Sequence, residues 1–383
     1  MKNLYLILIT VLVIFSSLTS SNLFAGNDQR VAESGAAELL INPWARSSGW
    51  ADANVACVTG LESVYQNIAG MAFTRKTELV FSHAQWFSGT GISINSGGFA
   101  TRVGGENGGV LGLSVMSMNF GDIETTTVAS PDGGLGTYSP TFTNIALSYA
   151  REFSNSIYGG ITVKLITESM FNVSTTGFAI DAGIQYVTGV GRDRAGNRHR
   201  DNLRFGITMK NVGTSMKFNG DGLTFTGFSQ NGTVMTISNR SQEFDLPSLI
   251  KIGFSYHFKI GARPASSSRY DDDTEVTSED ELVSNHSFII AANFTSNSYT
   301  KDQFHIGLEY NFMDVLFLRG GYCYEKGIES SDTRTTAFTG PSLGATLQVP
   351  VSKINKSVLA FDYSYRFTNP FNGIHTFGVR VTL

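Results

Sequence analysis

From Thr77 to the last residue the chain alternates, an apolar side chain followed by a polar or small one. Phe304, Ile306, Leu308, Tyr310 and Phe312 are interleaved with His305, Gly307, Glu309 and Asn311. The same rhythm sets Leu359, Phe361, Tyr363, Tyr365 and Phe367 against Ala360, Asp362, Ser364 and Arg366. It recurs from Ile250 to Phe258 and from Leu203 to Met209. Side chains flip face at each step of a strand, so each segment has one greasy and one polar face. Two folds accept such segments: a soluble sandwich with its apolar faces inward, and a membrane barrel with them outward. The segments reach about 10 residues, the length a tilted strand needs to cross hydrocarbon. Aromatics gather at their ends, and the opposite faces mix Lys, Arg, Glu and Asp with Gly, as a wet or plugged lumen requires. A closed barrel leaves no strand edge unpaired in lipid. The fold class expected is an all-β transmembrane barrel of about 14 antiparallel strands with an N-terminal plug of short helices and loops.

The candidate strands lie near 78–87, 90–103, 109–119, 140–153, 156–170, 177–188 and 202–211. The rest lie near 248–258, 286–296, 302–312, 315–324, 338–350, 356–367 and 373–383. An even count puts both ends of the chain on the periplasmic side. Residues 120–139, 212–247 and 325–337 are then long outer loops, and Ser154 to Ser156 and Met313-Asp314 short inner turns, as such barrels prefer. Two inner connections, 188–202 and 259–285, are longer than that rule expects. A further hairpin within 212–247, around Leu223–Phe228 and Val234–Ile237, would change the count if it joined the sheet. The last strand presents Phe377, Val379, Val381 and Leu383 on one face.

Residues 1–25 read as a secretion signal: Lys2, an apolar run from Leu4 to Phe15, then small polar residues up to Ala25. Residues 26–76 form an N-terminal extension and plug, and 77–383 the barrel. The core of the plug, residues 37–73, has no strand period, and its Gly, Ser, Ala and Asn content suits short helices and tight turns. Composition agrees: 41 Gly, 28 Phe and 14 Tyr, with 16% charged residues. A net charge of −4 with no basic stripe gives no reason to expect nucleic acid.

Within the plug, Trp44, Arg46, Trp50, Asp52 and Asn67 are the residues placed to touch a ligand or partner. The competing reading is plainer: buried polar groups need partners in any case, and tryptophans commonly anchor packing. The inferred lumen carries Lys164, Glu168, Asp181, Arg204, Lys210, Lys251, Glu309, Asp362, Arg366 and Arg380. Mixed charges of this kind pair with one another or with the plug; a selective conduction path needs a ring of one sign. The six histidines show no metal-ligand spacing, and Asp271-Asp272-Asp273 lacks the spacing of a calcium loop. No G-x-S-x-G is present, so neither an enzyme nor a cofactor is expected. Cys57 and Cys323 are open to two readings, a disulfide between plug and wall or two free thiols. The pairs Gly97-Gly98, Gly104-Gly105 and Gly108-Gly109 read as kinks and turns that would allow a side gap near the second and third strands.

Four blocks resemble the PorV/PorQ family. They are Leu40-Ile41-Asn42-Pro43-Trp44-Ala45-Arg46-Ser47-Ser48-Gly49; Gly121-Asp122-Ile123-Glu124-Thr125-Thr126 with Pro131-Asp132-Gly133 and Ala146 to Arg151; Leu203 to Ile207 with Lys210-Asn211-Val212-Gly213; and Phe317 to Tyr322. The resemblance implies an outer-membrane barrel of the Gram-negative, Bacteroidetes type, similar in fold to fourteen-stranded FadL transporters. It implies a role in type IX protein secretion, with secretion-system subunits and the C-terminal signal domains of cargo as partners, beside outer-membrane lipid. The alternative is a FadL-like transporter of hydrophobic small molecules.

Overall fold

The computed structural model describes residue 30 and residues 33–105, 108–191, 201–260, 263–264, 282–283, 285–352 and 357–383. The signal segment 1–25, His199, Asp271-Asp272-Asp273 and most of the 188–202 and 259–285 connections lie outside the described residues. The alternating segments form strands β1 Thr77–Gln85, β2 Ser93–Arg102, β3 Val110–Asn119, β4 Thr141–Ser154 and β5 Ile157–Met170. They continue as β6 Val173–Thr188, β7 Leu203–Gly213, β8 Leu249–Ile260, β9 His286–Asn297 and β10 Gln303–Phe312. The last four are β11 Leu316–Glu325, β12 Phe338–Ser352, β13 Ser357–Thr368 and β14 Ile374–Thr382. All fourteen pair in chain order into one closed antiparallel barrel. β1 closes on β14 from Glu78 opposite Thr382 to Gln85 opposite His375.

The hairpin of Thr224–Phe228 with Val234–Ser238 pairs only with itself, so it leaves the strand count intact. The glycine pairs open no side gap in the described ladder. β2 stays in register with β3 from Ser93–Asn119 to Arg102–Val110, and β3 with β4 from Val110–Ala150 to Asn119–Thr141. Gly97 and Gly98 sit within that ladder, whereas Gly104 and Gly105 take the positive φ of a turn.

The two faces fall as the period requires. Leu308 is 45% exposed and Tyr363 38%, while Ser364 is fully enclosed in the lumen. Outward aromatics meet toward the short-turn end in tilted pairs, Tyr256 with Phe258 at 4.4 Å between ring centroids and Phe288 with Tyr310 at 4.8 Å, forming part of an interfacial belt.

Residues 33–76 thread the lumen lengthwise. At the short-turn end the Arg102 guanidinium donates to the carbonyls of Ala72 and Thr74, both at 2.7 Å, and fixes where the plug joins β1. Two short helices, α1 Ala45–Gly49 and α2 Ser63–Gln66, and 3-10 turns at Ala37–Leu40 and Ile68–Phe73 fill the middle. At the long-loop end, Ser34 bridges Asp245 of the β7–β8 loop, and Arg30 donates to the Tyr299 hydroxyl at 3.0 Å. The start of β1 and Leu383 do share the short-turn end, where the Leu383 amide donates to Thr77 at 2.8 Å. The N-terminal segment, however, ends its described course at the opposite mouth. Sequence period locates strands and is silent about the path of a segment that has none.

Two outcomes are expected. In whole cells, a membrane-impermeant maleimide should label Arg30→Cys and Gly133→Cys and spare Asn155→Cys; protection of Arg30→Cys would contradict the threaded path. Leu308→Arg should lower the folded fraction, since arginine at the lipid midplane costs about 2–4 kcal/mol. An undiminished folded yield for Leu308→Arg would contradict the face assignment.

Candidate functional site

The plug lies against the wall so closely that lumen glycines are needed. A Cβ at Gly321 would stand 2.2 Å from the Trp50 carbonyl, one at Gly307 2.6 Å from the Trp50 ring, and one at Gly112 2.5 Å from the Met71 sulfur. Gly49 and Gly344 meet backbone to backbone, a Cβ on either falling 2.9 Å from the other's Cα. Trp50 is accordingly buried against Ala53 and Ala291. Trp44 is buried with Leu61, Ile68, Met71 and Ala100. Asn67 donates to the Val55 carbonyl at 3.2 Å and to Ile184 of β6 at 3.0 Å, and accepts from the Ala69 amide at 3.2 Å.

Polar lumen side chains satisfy the plug and one another. Ala51 and Asp52 both have left-handed backbone, φ 50° and 65°. That turn aims the Ala51 carbonyl at His305 Nδ1, 2.7 Å away, and the Asp52 carboxylate at Arg366, 3.3 Å away. Asn42 and Gln66 also donate to Asp52, the latter at 2.8 Å, and Lys251 Nζ donates to Gln66 Oε1 at 2.9 Å. Burial pushes the Asp52 carboxyl up, but Arg366, Lys251 and His305 outweigh it and hold it below its ordinary value.

Arg46 faces Glu309, Glu62, Asp362 and Glu78. Burial pulls its guanidinium down, and those four carboxylates more than compensate. Arg319 pairs with Glu309, and Arg380 lies 4.0 Å from Asp362. A bulge on β7 sets Lys210 and Asn211 together opposite Asp181 of β6. There Lys164 reaches Asp181 at 2.6 Å and Asn211 at 2.8 Å, and Lys210 lies over the Tyr65 ring at 4.1 Å.

Between plug and wall, toward the long-loop end, is a cavity of about 230 Å³. Asp52, Lys251, His305, Glu325 and Arg366 supply polar lining, and Leu40, Ile41, Trp86, Ile328 and Phe338 apolar lining. Of the five plug residues singled out in the sequence, Asp52 borders this cavity, and Trp44 borders a smaller void of about 30 Å³. Trp50, Asn67 and Arg46 point elsewhere, into packing, backbone clamps and the acid cluster. Trp86 and Phe338 have no sequence signal beyond standing at strand ends beside the long loops. Cys57 and Cys323 are both free thiols, so no disulfide joins plug to wall. Burial raises the Cys57 thiol to about 11. Among the described residues no three His, Cys, Asp or Glu converge on a metal position.

No protein-family profile matches the chain, and no curated protein matches it in sequence. Solved structures do. The Pseudomonas putida toluene transporter TodX is 11% identical, with 89% of this chain and 97% of that chain aligned at a TM-score of 0.51. The Ralstonia pickettii toluene transporter TbuX is 12% identical over 89% and 97%, at 0.48. A FadL homologue of Pseudomonas aeruginosa is 12% identical over 88% and 97%, at 0.47. At these identities the likeness to TodX speaks for the fold alone, an outer-membrane β-barrel.

The plug also offers a pH signature. Glu62 accepts from the Ser47 hydroxyl at 2.9 Å, and burial, reinforced by Asp362, raises its carboxyl from 4.5 to about 7. Between those two values the folded protein keeps a proton that the unfolded chain has released, so stability falls as pH rises through that window. Glu62→Gln should flatten this decline in heat-modifiable gel mobility between pH 5 and 7. An unchanged slope would contradict it.

Proposed function

We propose that this protein is a non-enzymatic outer-membrane transporter that admits hydrophobic small molecules, and that the 230 Å³ cavity beside the plug is where they are held. The observation that carries this reading is the cavity's mixed lining. Ala37, Leu40 and Ile41 of the plug and Trp86 and Phe338 of the wall give it apolar surface, and Lys251, His305 and Arg366 give it polar groups. Ligand pockets use placed polar groups among apolar walls to fix a ligand's orientation. The fold likeness to a toluene transporter supports the reading by analogy.

A second reading, a component of type IX secretion holding cargo signal domains or other secretion subunits, rests on the sequence blocks and on one surface feature. The hairpin of the β7–β8 loop exposes Phe225, Phe228, Val234 and Met235 at the long-loop end. Exposed apolar groups clustered on a protruding element suit a protein partner.

Trp86 separates the readings. A brominated fatty acid bound in the cavity should quench Trp86 emission, and Trp86→Phe should abolish that saturable component while Trp44 and Trp50, buried elsewhere, remain. Quenching that does not saturate, or that survives in Trp86→Phe, would overturn the cavity assignment. Recovery of cargo signal domains in mild-detergent purification, with no such quenching, would favour the secretion reading.

A further inference from the structure

Among the described residues that line the cavity between plug and wall, one buried polar side-chain atom has no hydrogen-bond partner: His305 Nε2. His305 stands on β10 and is 5% exposed. Its other ring nitrogen is committed, because Nδ1 lies 2.7 Å from the Ala51 carbonyl. A carbonyl oxygen only accepts, so Nδ1 carries the proton of that bond. In the neutral ring, the ordinary state above about pH 6.5, Nε2 then holds a lone pair. The two nitrogens point apart across the ring, so Nε2 is turned from the plug carbonyl. Its cross-strand neighbours, Asn293 on β9 and Cys323 on β11, leave it unmet.

The four charged side chains of the cavity are engaged with other groups. Asp52 accepts from Asn42, Gln66 and Arg366, and Arg366 also lies over the Phe338 ring at 4.3 Å. Lys251 donates to Gln66 at 2.9 Å, and Glu325 accepts from Gln303 at 2.9 Å and Thr335 at 3.2 Å. Two acidic and two basic groups leave no surplus charge to hold a charged ligand. The space is small as well, about 230 Å³ against the roughly 300–1,000 Å³ of sites for drug-sized molecules. An apolar group packed over Nε2 would leave its lone pair bare in an enclosed site, whereas a hydroxyl meets it.

We propose that His305 is a specificity-determining residue, and that the cavity selects small neutral molecules carrying a hydroxyl on an apolar ring or short chain, the hydroxyl donating to Nε2. This rests on the reading of the cavity as a ligand site. The hydroxyl adds affinity and is not a condition for entry, so a hydrocarbon or an acyl chain still binds, without that contact.

The test uses the full-length protein in detergent, with a brominated fatty acid quenching Trp86 and three spectrally silent competitors that relieve the quenching. Cyclohexanol donates, cyclohexyl methyl ether only accepts, and methylcyclohexane does neither. In His305→Phe the half-displacing concentration of cyclohexanol should rise about three- to tenfold relative to that of methylcyclohexane, the share of one neutral hydrogen bond. The ether should show no such rise. His305→Gln, whose amide can donate to the Ala51 carbonyl and accept from a hydroxyl, should keep the unsubstituted protein's ratio. Heat-modifiable mobility confirms folding, and His305→Leu serves if His305→Phe does not fold. An unchanged cyclohexanol ratio in the Phe or Leu variant, or an equal rise for the ether, overturns the proposal and leaves the cavity reading standing. Absence of any saturable Trp86 quenching by the fatty acid overturns both.

Discussion

Everything in this molecule depends on a closed hydrogen-bond ladder. In hydrocarbon an unpaired backbone group has no water to turn to, so a sheet there must close on itself. Here closure is the pairing of β1 with β14, running the length of both strands from Glu78–Thr382 to Gln85–His375. Once the ladder closes, side chains alternate between lipid and lumen without further choice. The outer face must be apolar over the span of the bilayer. The inner face is released from that requirement and is free to be shaped by what fills it.

What fills it is the chain's own N-terminal segment, and the inner wall is cut to match. The lumen glycines at 112, 307, 321 and 344 stand where Met71, Trp50 and Gly49 press against the barrel, leaving no room for a side chain. The charged lumen residues are matched in the same way. Arg366 answers Asp52 of the plug, Lys251 is tied to Gln66, and Arg319 and Glu309 neutralise each other beside Arg46. A buried charge without a partner costs several kcal/mol, roughly, so these pairs constrain where the plug sits even if each adds little net stability. The space left over is the cavity bordered by Trp86 and Phe338.

The barrel was legible because period two is local: Phe304 to Phe312 declare their face with no knowledge of any neighbour. Fourteen strands and their order follow from counting such segments, since sequential antiparallel pairing is the shortest connection. The protruding hairpin at Thr224–Ser238 was visible as alternation too, but whether it joins the barrel is a tertiary matter. The plug was legible as a segment without period, and its path was not. That Ser34 meets Asp245 at the far mouth, or that Gly321 sits under Trp50, is set by packing between residues hundreds of positions apart. For the same reason Asp52 was recognisable as a polar residue of the plug, while its grouping with Lys251, His305 and Arg366 was not. Cys57 and Cys323 show the limit in reverse: two thiols in an exported chain invite pairing, and only the fold shows them apart.

The account's central claim is that barrel and plug are separable in origin of stability and joined in function, the ladder holding the barrel and the plug sealing it. Single-channel conductance in planar bilayers tests this most directly, comparing the intact protein with a deletion of residues 37–73. The intact protein is predicted to stay closed, and the deletion to insert and give large, steady, poorly selective steps from an open fourteen-stranded lumen. Large steps from the intact protein, a deletion that inserts yet stays sealed, or one that never inserts would contradict the account.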